Sequence, residues 1–204
     1  LQMVGTANDK VSITVNGQQI KAEAAISDLK TSQTNSGNLA IGDTNTDITF
    51  LNDGNIVVTW YASGVDGSDM AVVARIMKAD GSGLTNELLV NTVTASAQAY
   101  PSIATLSDGS FVILYGSLYQ DGSDWGVYGQ RFNPDGSRNG TEFLATTTTF
   151  GGQFYPAISA LNDGGFIATW TGGDDGNGSG VYGQIFNSEG SKKGGEFRIN
   201  SKTE

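Results

Sequence analysis

With 204 residues but no histidine and no cysteine, the chain cannot use a Ser-His-Asp triad, an imidazole acid–base step, an ordinary zinc site or a disulfide. Eleven basic against twenty-one acidic residues give a net charge of −10. The scattered lysines and arginines form none of the basic footprint that nucleic acid or an anionic membrane surface needs, and no run approaches the roughly 18 apolar residues of a membrane span, so neither partner is expected.

Residues 1–42 read as a strand segment or linker. The stretch "KVSITVNGQQIKAEAA" is expected to add strands to the far end of the fold and close it, or to be the tail of a preceding Ig-like domain. Ala22 to Lys30 is a weak helical candidate. The start at Leu1 suggests a piece of a longer protein.

From Leu51 a pattern sets in. "LNDGNIVVTW" recurs as "LSDGSFVILY" from Leu106 and "LNDGGFIATW" from Leu161, in two steps of 55 residues. A period of that length marks one supersecondary unit copied and stacked on itself. The copies run over 43–97, 98–152 and 153–204, the first being the divergent one, with Asp43 and Thr46 where the others have Gln98 and Pro101 or Gln153 and Pro156.

The second copy predicts four strands. The first runs from Ile103 to Leu106, and a Ser-Asp-Gly turn leads into the second, Phe111 to Tyr115. Both alternating sets of the second strand are apolar, which suits a strand covered on both faces. The third holds Val127 to Phe132, and "NPDG" turns into the fourth around Phe143. Four antiparallel strands per copy and 29 glycines give an all-β fold of propeller-blade-like repeats. A compact three-sheet module with pseudo-threefold symmetry, β-prism-like or trefoil-like, is the alternative. Since propellers typically close with four to eight blades, a homodimer forming one ring is also open.

Acidic residues recur with the repeat: Asp53, Asp108 and Asp163; Asp80, Asp135 and Glu189; Glu87, Glu142 and Glu196. A catalytic centre is singular, so recurrent carboxylates read as turn formers and the chain is not expected to be an enzyme. A carboxylate glycosidase would need one closely spaced acidic pair. The loops between second and third strands carry Asp66 and Asp69, Asp121 and Asp124, and Asp174 and Asp175. Flexible Asp/Gly loops can supply the hard oxygens that calcium takes, although EF-hand and β-roll spacings are absent, and the same residues serve plain turns.

Trp60, Tyr115 and Trp170 end an apolar strand in every copy and belong in the core, while Tyr128 and Tyr182 are expected between neighbouring sheets. Tyr119 and Trp125 differ: they flank the second copy's loop, are read as lying outside the strands, and have no aromatic counterpart in the other copies. A flat ring beside polar groups is what a sugar-binding site offers. Tyr100 and Tyr155, beside Gln98 and Gln153, stand where one copy hands over to the next and complete the candidate ligand set.

The string "Q-x-x-P…DG-G-F-x-x-x-W…DG-S-x-x-G-V-Y-G-Q-x-F…G-x-E-F-x-[IV]-N" resembles tandem repeats of very large bacterial secreted and surface proteins, many of them RTX-type exoproteins and adhesins. The likeness covers 98–200 well and 43–92 loosely. It implies four-stranded blades and an extracellular setting. The function expected is a ligand-binding module that recognises glycan or peptide at its loop ends, with calcium as the ion its loops would hold. A structural spacer and a carboxylate hydrolase are the alternatives.

Overall fold

A computed structural model describes the backbone of 12–15 and 18–21 and residues 45–172, 178 and 180–201. The weak helical candidate at Ala22 to Lys30 lies outside these residues, as do Asp174 and Asp175.

Two short N-terminal strands, β1 (Ser12–Val15) and β2 (Gln18–Lys21), pair antiparallel with each other. The first blade holds β3 (Asp47–Phe50), β4 (Ile56–Ser63), β5 (Met70–Met77) and β6 (Leu88–Leu89). The second holds β7 (Gln98–Thr105), β8 (Phe111–Leu118), β9 (Trp125–Phe132) and β10 (Phe143–Leu144). The third holds β11 (Gln153–Ala160), β12 (Phe166–Gly172), β13 (Gly180–Phe186) and β14 (Lys192–Arg198). Each blade is a four-stranded antiparallel meander, the propeller-blade arrangement expected from the repeat, and the prism or trefoil alternative falls away. The inner strand β7 lies against both β3 and β11. Among the described residues β1 and β2 form a two-stranded sheet of their own.

The turns follow from the repeated Asp-Gly. Asp53, Asp108 and Asp163 each accept the backbone N–H two residues on, at 3.0, 2.9 and 3.1 Å. The glycine after each has φ near +86° (Gly54 86°, Gly109 86°, Gly164 87°), a backbone that side chains with a Cβ rarely adopt. These aspartates are turn formers, as read from sequence.

Every β8 residue from Phe111 to Ser117 is buried. Phe111, Ile113 and Tyr115 enter a core shared with Val57, Tyr61, Val72 and Ile76 of the first blade. Val112 and Leu114, pointing the other way, enter a core shared with Phe166, Ala168, Trp170 and Phe186 of the third. Each interface has a stacked phenylalanine pair, Phe111 with Phe132 (5.2 Å, 14°) and Phe166 with Phe186 (4.6 Å, 7°). Where β9 needs room it uses glycine: a Cβ on Gly129 would stand 2.5 Å from Phe143 and 2.8 Å from Leu114.

Because Phe166 is fully buried in a core that two blades share, Phe166→Ala should cost about 3–5 kcal/mol. A fall in the urea midpoint at unchanged m-value checks this, and a loss below about 1 kcal/mol would deny the shared core. A pH effect follows from Asp108. Burial raises its carboxyl, but the Ser110 hydroxyl and amide donors, with Arg131 3.7 Å away, outweigh that and hold it below the ordinary 3.8. A folded-state pKa below the unfolded one contributes stability in full above the unfolded value, and loses it as pH falls through the folded value. Urea midpoints measured from about pH 7 down to about pH 2 should therefore fall more steeply on the acid side for the wild type than for Asp108→Asn.

Candidate functional site

One end of the fold gathers the aromatic residues, and strand register does it. Gln98 pairs with Ser117 and Gln153 with Gly172. The inner strands β7 and β11 thus begin at the end where β8 and β12 run out into their loops. Both inner strands carry a β-bulge, between Ala99 and Ser102 and between Phe154 and Ala157. The bulged residues Tyr100 and Tyr155 have φ of 57° and 54°, a left-handed backbone that costs a non-glycine residue about 1–3 kcal/mol. Each precedes a proline, which has no N–H to give the ladder.

The rings form a row across all three blades. Tyr100 lies 6.0 Å from Tyr61, 5.6 Å from Trp125 and 5.0 Å from Tyr155. Phe154 lies 6.5 Å from Trp125 and 6.1 Å from Tyr155. Such edge-on and tilted ring pairs are worth about 0.5–1.5 kcal/mol each beyond the area they bury. Tyr100 and Trp125 are half-buried, whereas Tyr155 is 61% exposed. Tyr119 is 63% exposed, and its N–H and the Asp124 carbonyl close the loop at 2.8 Å. The reading of Trp125 as a loop residue is corrected: it opens β9 and pairs with Leu118, because the hairpin reverses within Tyr119 to Asp124.

Gln98 and Gln153, named from sequence as ligand contacts, are buried. Gln98 donates to Ala95 O (2.9 Å) and accepts from Asn91 (3.1 Å). Gln153 donates to the carbonyls of Gly151 (2.8 Å) and Phe150 (3.3 Å). Both amides fix the connectors between blades. Phe150, on the second of those connectors, is 86% exposed and was not singled out from sequence. Its signal is an aromatic that the corresponding Ala95 lacks.

The loop aspartates mainly hold their own turns. Asp66 accepts from Ser68 N (3.1 Å) and Asn91 Nδ2 (2.9 Å). Asp121 accepts from Ser123 N at 3.0 Å, and its second oxygen is buried without a partner. Asp69 and Asp124 are exposed. Among the described residues no three Asp, Glu, His or Cys side chains converge as ligands.

Glu142 supplies the charge inside the site's support. It accepts from Tyr115 Oη, from Thr92 N of the first blade (2.7 Å) and from Gln120 Nε2 in the Tyr119 loop (2.5 Å). Burial, with Glu142 next, holds the Tyr115 phenol well above its ordinary value. Burial followed by Asp121 and Glu142 pushes Tyr128 up to about 12. Beside Glu142, Arg138 donates to the carbonyls of Leu89 (2.9 Å), Val90 (3.0 Å) and Asn91 (3.3 Å). The third blade repeats the device on the second: Lys192 donates to Thr146 O (2.7 Å), and Glu196 accepts from Thr147 N (2.6 Å). Glu142 and Glu196 are therefore clamps between blades, which corrects their reading as turn formers. A turn acid and a clamp acid recur with the same period, so recurrence alone did not separate them.

The chain matches no protein-family model and no curated protein sequence. Among solved structures its fold is similar to an α-L-arabinanase of Penicillium chrysogenum complexed with arabinobiose (14% identity, TM-score 0.59, 78% of this chain and 50% of that one). It is similar to an endo-arabinase of Bacteroides thetaiotaomicron (18% identity, TM-score 0.51, 76% and 61%). It is also similar to an α-L-arabinofuranosidase of Fusarium graminearum in complex with an iminosugar inhibitor (12% identity, TM-score 0.55, 94% and 54%). The chain thus spans between half and about three-fifths of their lengths, and at these identities the likeness is one of fold. It overturns the expectation that the chain is not an enzyme. This blade architecture carries glycoside hydrolases, so acidic residues recurring in every blade are no argument against catalysis.

Glu142 serves three donors, whereas Glu87 at the same place in the first blade is exposed. Glu142→Gln should cost about 1–3 kcal/mol, because an amide turns a donor toward donors. Glu87→Gln should change stability by less than about 0.5 kcal/mol. Urea unfolding of the two variants side by side decides it, and equal effects would sink the clamp.

Proposed function

We propose that this chain binds carbohydrate chains at its aromatic end, with Tyr119, Phe150 and Tyr155 as contact surfaces and Tyr61, Tyr100, Trp125 and Phe154 as the rings packed on and behind Tyr155. The observation that carries this reading is three exposed rings collected at one end of a fold whose other large aromatics are mostly buried. A sugar ring stacks its C–H face on such surfaces while its hydroxyls meet nearby amide and carboxylate groups, here Asp124 and the loop backbone. Support comes from the fold, which recurs in an arabinanase complexed with arabinobiose and in an endo-1,4-β-xylanase. Pentose-rich polysaccharides are therefore the first ligand class. The repeat resemblance supports an extracellular setting in a large bacterial secreted or surface protein, and calcium is proposed as an auxiliary ion of the exposed loop aspartates.

Hydrolysis is the second reading. Asp121 favours it, because one of its carboxylate oxygens is buried and unpaired beside Tyr128, on whose phenol Glu142 also acts. Two carboxylates flanking a bond are what a glycosidase requires.

Calorimetric titration with arabino- and xylo-oligosaccharides, in calcium and in EDTA, tests the binding. Tyr155→Asn keeps a residue type that tolerates the left-handed backbone, and should weaken binding at least about tenfold, or 1.4 kcal/mol, at near-constant Tm. No binding to any glycan of a broad array, or unchanged affinity in Tyr155→Asn and Phe150→Ala, would remove the proposal. Reducing-end release that disappears in Asp121→Asn would raise hydrolysis above binding alone.

A further inference from the structure

Each blade turns the same face toward the blade that follows. In the first blade Val72 and Val90 stand on it, and in the second Val127 and Ala145, all fully buried. The matching residues of the third blade are Val181 and Ile199, 39% and 48% exposed. Phe143 of the second blade lies 6.2 and 5.4 Å from the Phe166 and Phe186 rings of the third. Its counterpart Phe197 is 38% exposed. The edge backbone repeats as well. Val90, Ala145 and Ile199 donate to Val72, Val127 and Val181 at 2.8, 2.8 and 2.7 Å. Asn200 accepts from Val181 N at 2.9 Å, as Asn91 does from Val72 N at 2.9 Å. Among the described residues the third blade presents, uncovered, the pattern that is covered twice within the chain.

We propose that this face docks a fourth blade, an antiparallel four-stranded sheet carrying a cation and a glutamate four residues apart, as Arg138/Glu142 and Lys192/Glu196 are. By continuity with the two interfaces described, the cation meets the carbonyls of Arg198, Ile199 and Asn200, and the glutamate takes the N–H of Ser201. Apolar side chains of the incoming sheet cover Val181, Phe197 and Ile199. The first blade of a second copy is not built for this role. Gly83 occupies the bridge position that Arg138 holds in the second blade, and the Arg75 guanidinium beside it is turned to its own blade, its Nε donating to Thr85 O at 3.1 Å.

The absence of cysteine makes a single reporter possible. In Ile199→Cys, maleimide labelling should be fast in the unextended chain. It should slow at least tenfold when a second copy of residues 147–200 follows Asn200, with a larger urea m-value in one transition. Alanine at the appended copy's Lys192 and Glu196 should restore most of the labelling rate, and Val181→Cys gives a second reporter. Equal labelling with and without the appended copy, or an appended copy that stays unfolded, overturns the proposal. Protection that ignores the two alanines overturns the clamp assigned to the partner. Protection of the unextended chain that grows with concentration gives the face to a second copy and overturns it too.

Discussion

A strand buried on both faces is stable only between two other sheets, and β8 is such a strand. Phe111, Ile113 and Tyr115 need the first blade, and Val112 and Leu114 need the third. Burying a large apolar side chain stabilises by about 1.5–3 kcal/mol. A single blade would leave about half of that set in water. The blades are therefore not beads on a string. Each completes its neighbour's core, and the Glu142 and Glu196 clamps set how far one sheet slides on the next by tying a side chain of one blade to the backbone edge of another.

That rigidity makes the aromatic end possible. A left-handed tyrosine persists only where its surroundings over-determine it. Tyr100 and Tyr155 are held by a proline behind, a bulge in the ladder and rings on several sides. The buried amides of Gln98 and Gln153 pin the connectors beside them. Backbone strain at the bulges is offset by burial elsewhere, and rings otherwise free to rotate stand in one arrangement. A ligand meeting such a surface orders few side chains on binding, which lowers the entropic cost of association.

Much of the fold was legible because the repeat states it three times. The Asp-Gly turns, the four strands and the core positions of Trp60, Tyr115 and Trp170 follow from period-2 alternation read in register. What stayed hidden are places where a local signal is broken or shared. Gln98 to Pro101 does not alternate, and proline argues against a strand, yet β7 begins there because the bulge sets two residues outside the ladder. Trp125 read as loop because Asp121 to Asp124 is rich in turn formers, although the turn ends one residue earlier. Phe150 sits in a threonine-rich connector with no periodicity to make it visible. The ring row spans three blades, and only tertiary structure joins Tyr61, Trp125 and Tyr155.

The same logic explains why the repeat misled on catalysis. Symmetry of the scaffold is not symmetry of the site, and an acid present in every copy is not thereby a turn residue. The aspartates of Asp-Gly are indeed turn residues, but Glu142 is not, and its surroundings are unlike those of Glu87. In the second copy it accepts from Gln120 of the Tyr119 loop. In the first copy the loop column holds Gly64 in place of Tyr119, and Ala95 in place of Phe150. The blades are equivalent in what buries them and unequal in what their loops expose. A recurrent residue can therefore hold the scaffold in two copies and still shape a site in one, through neighbours that occur once.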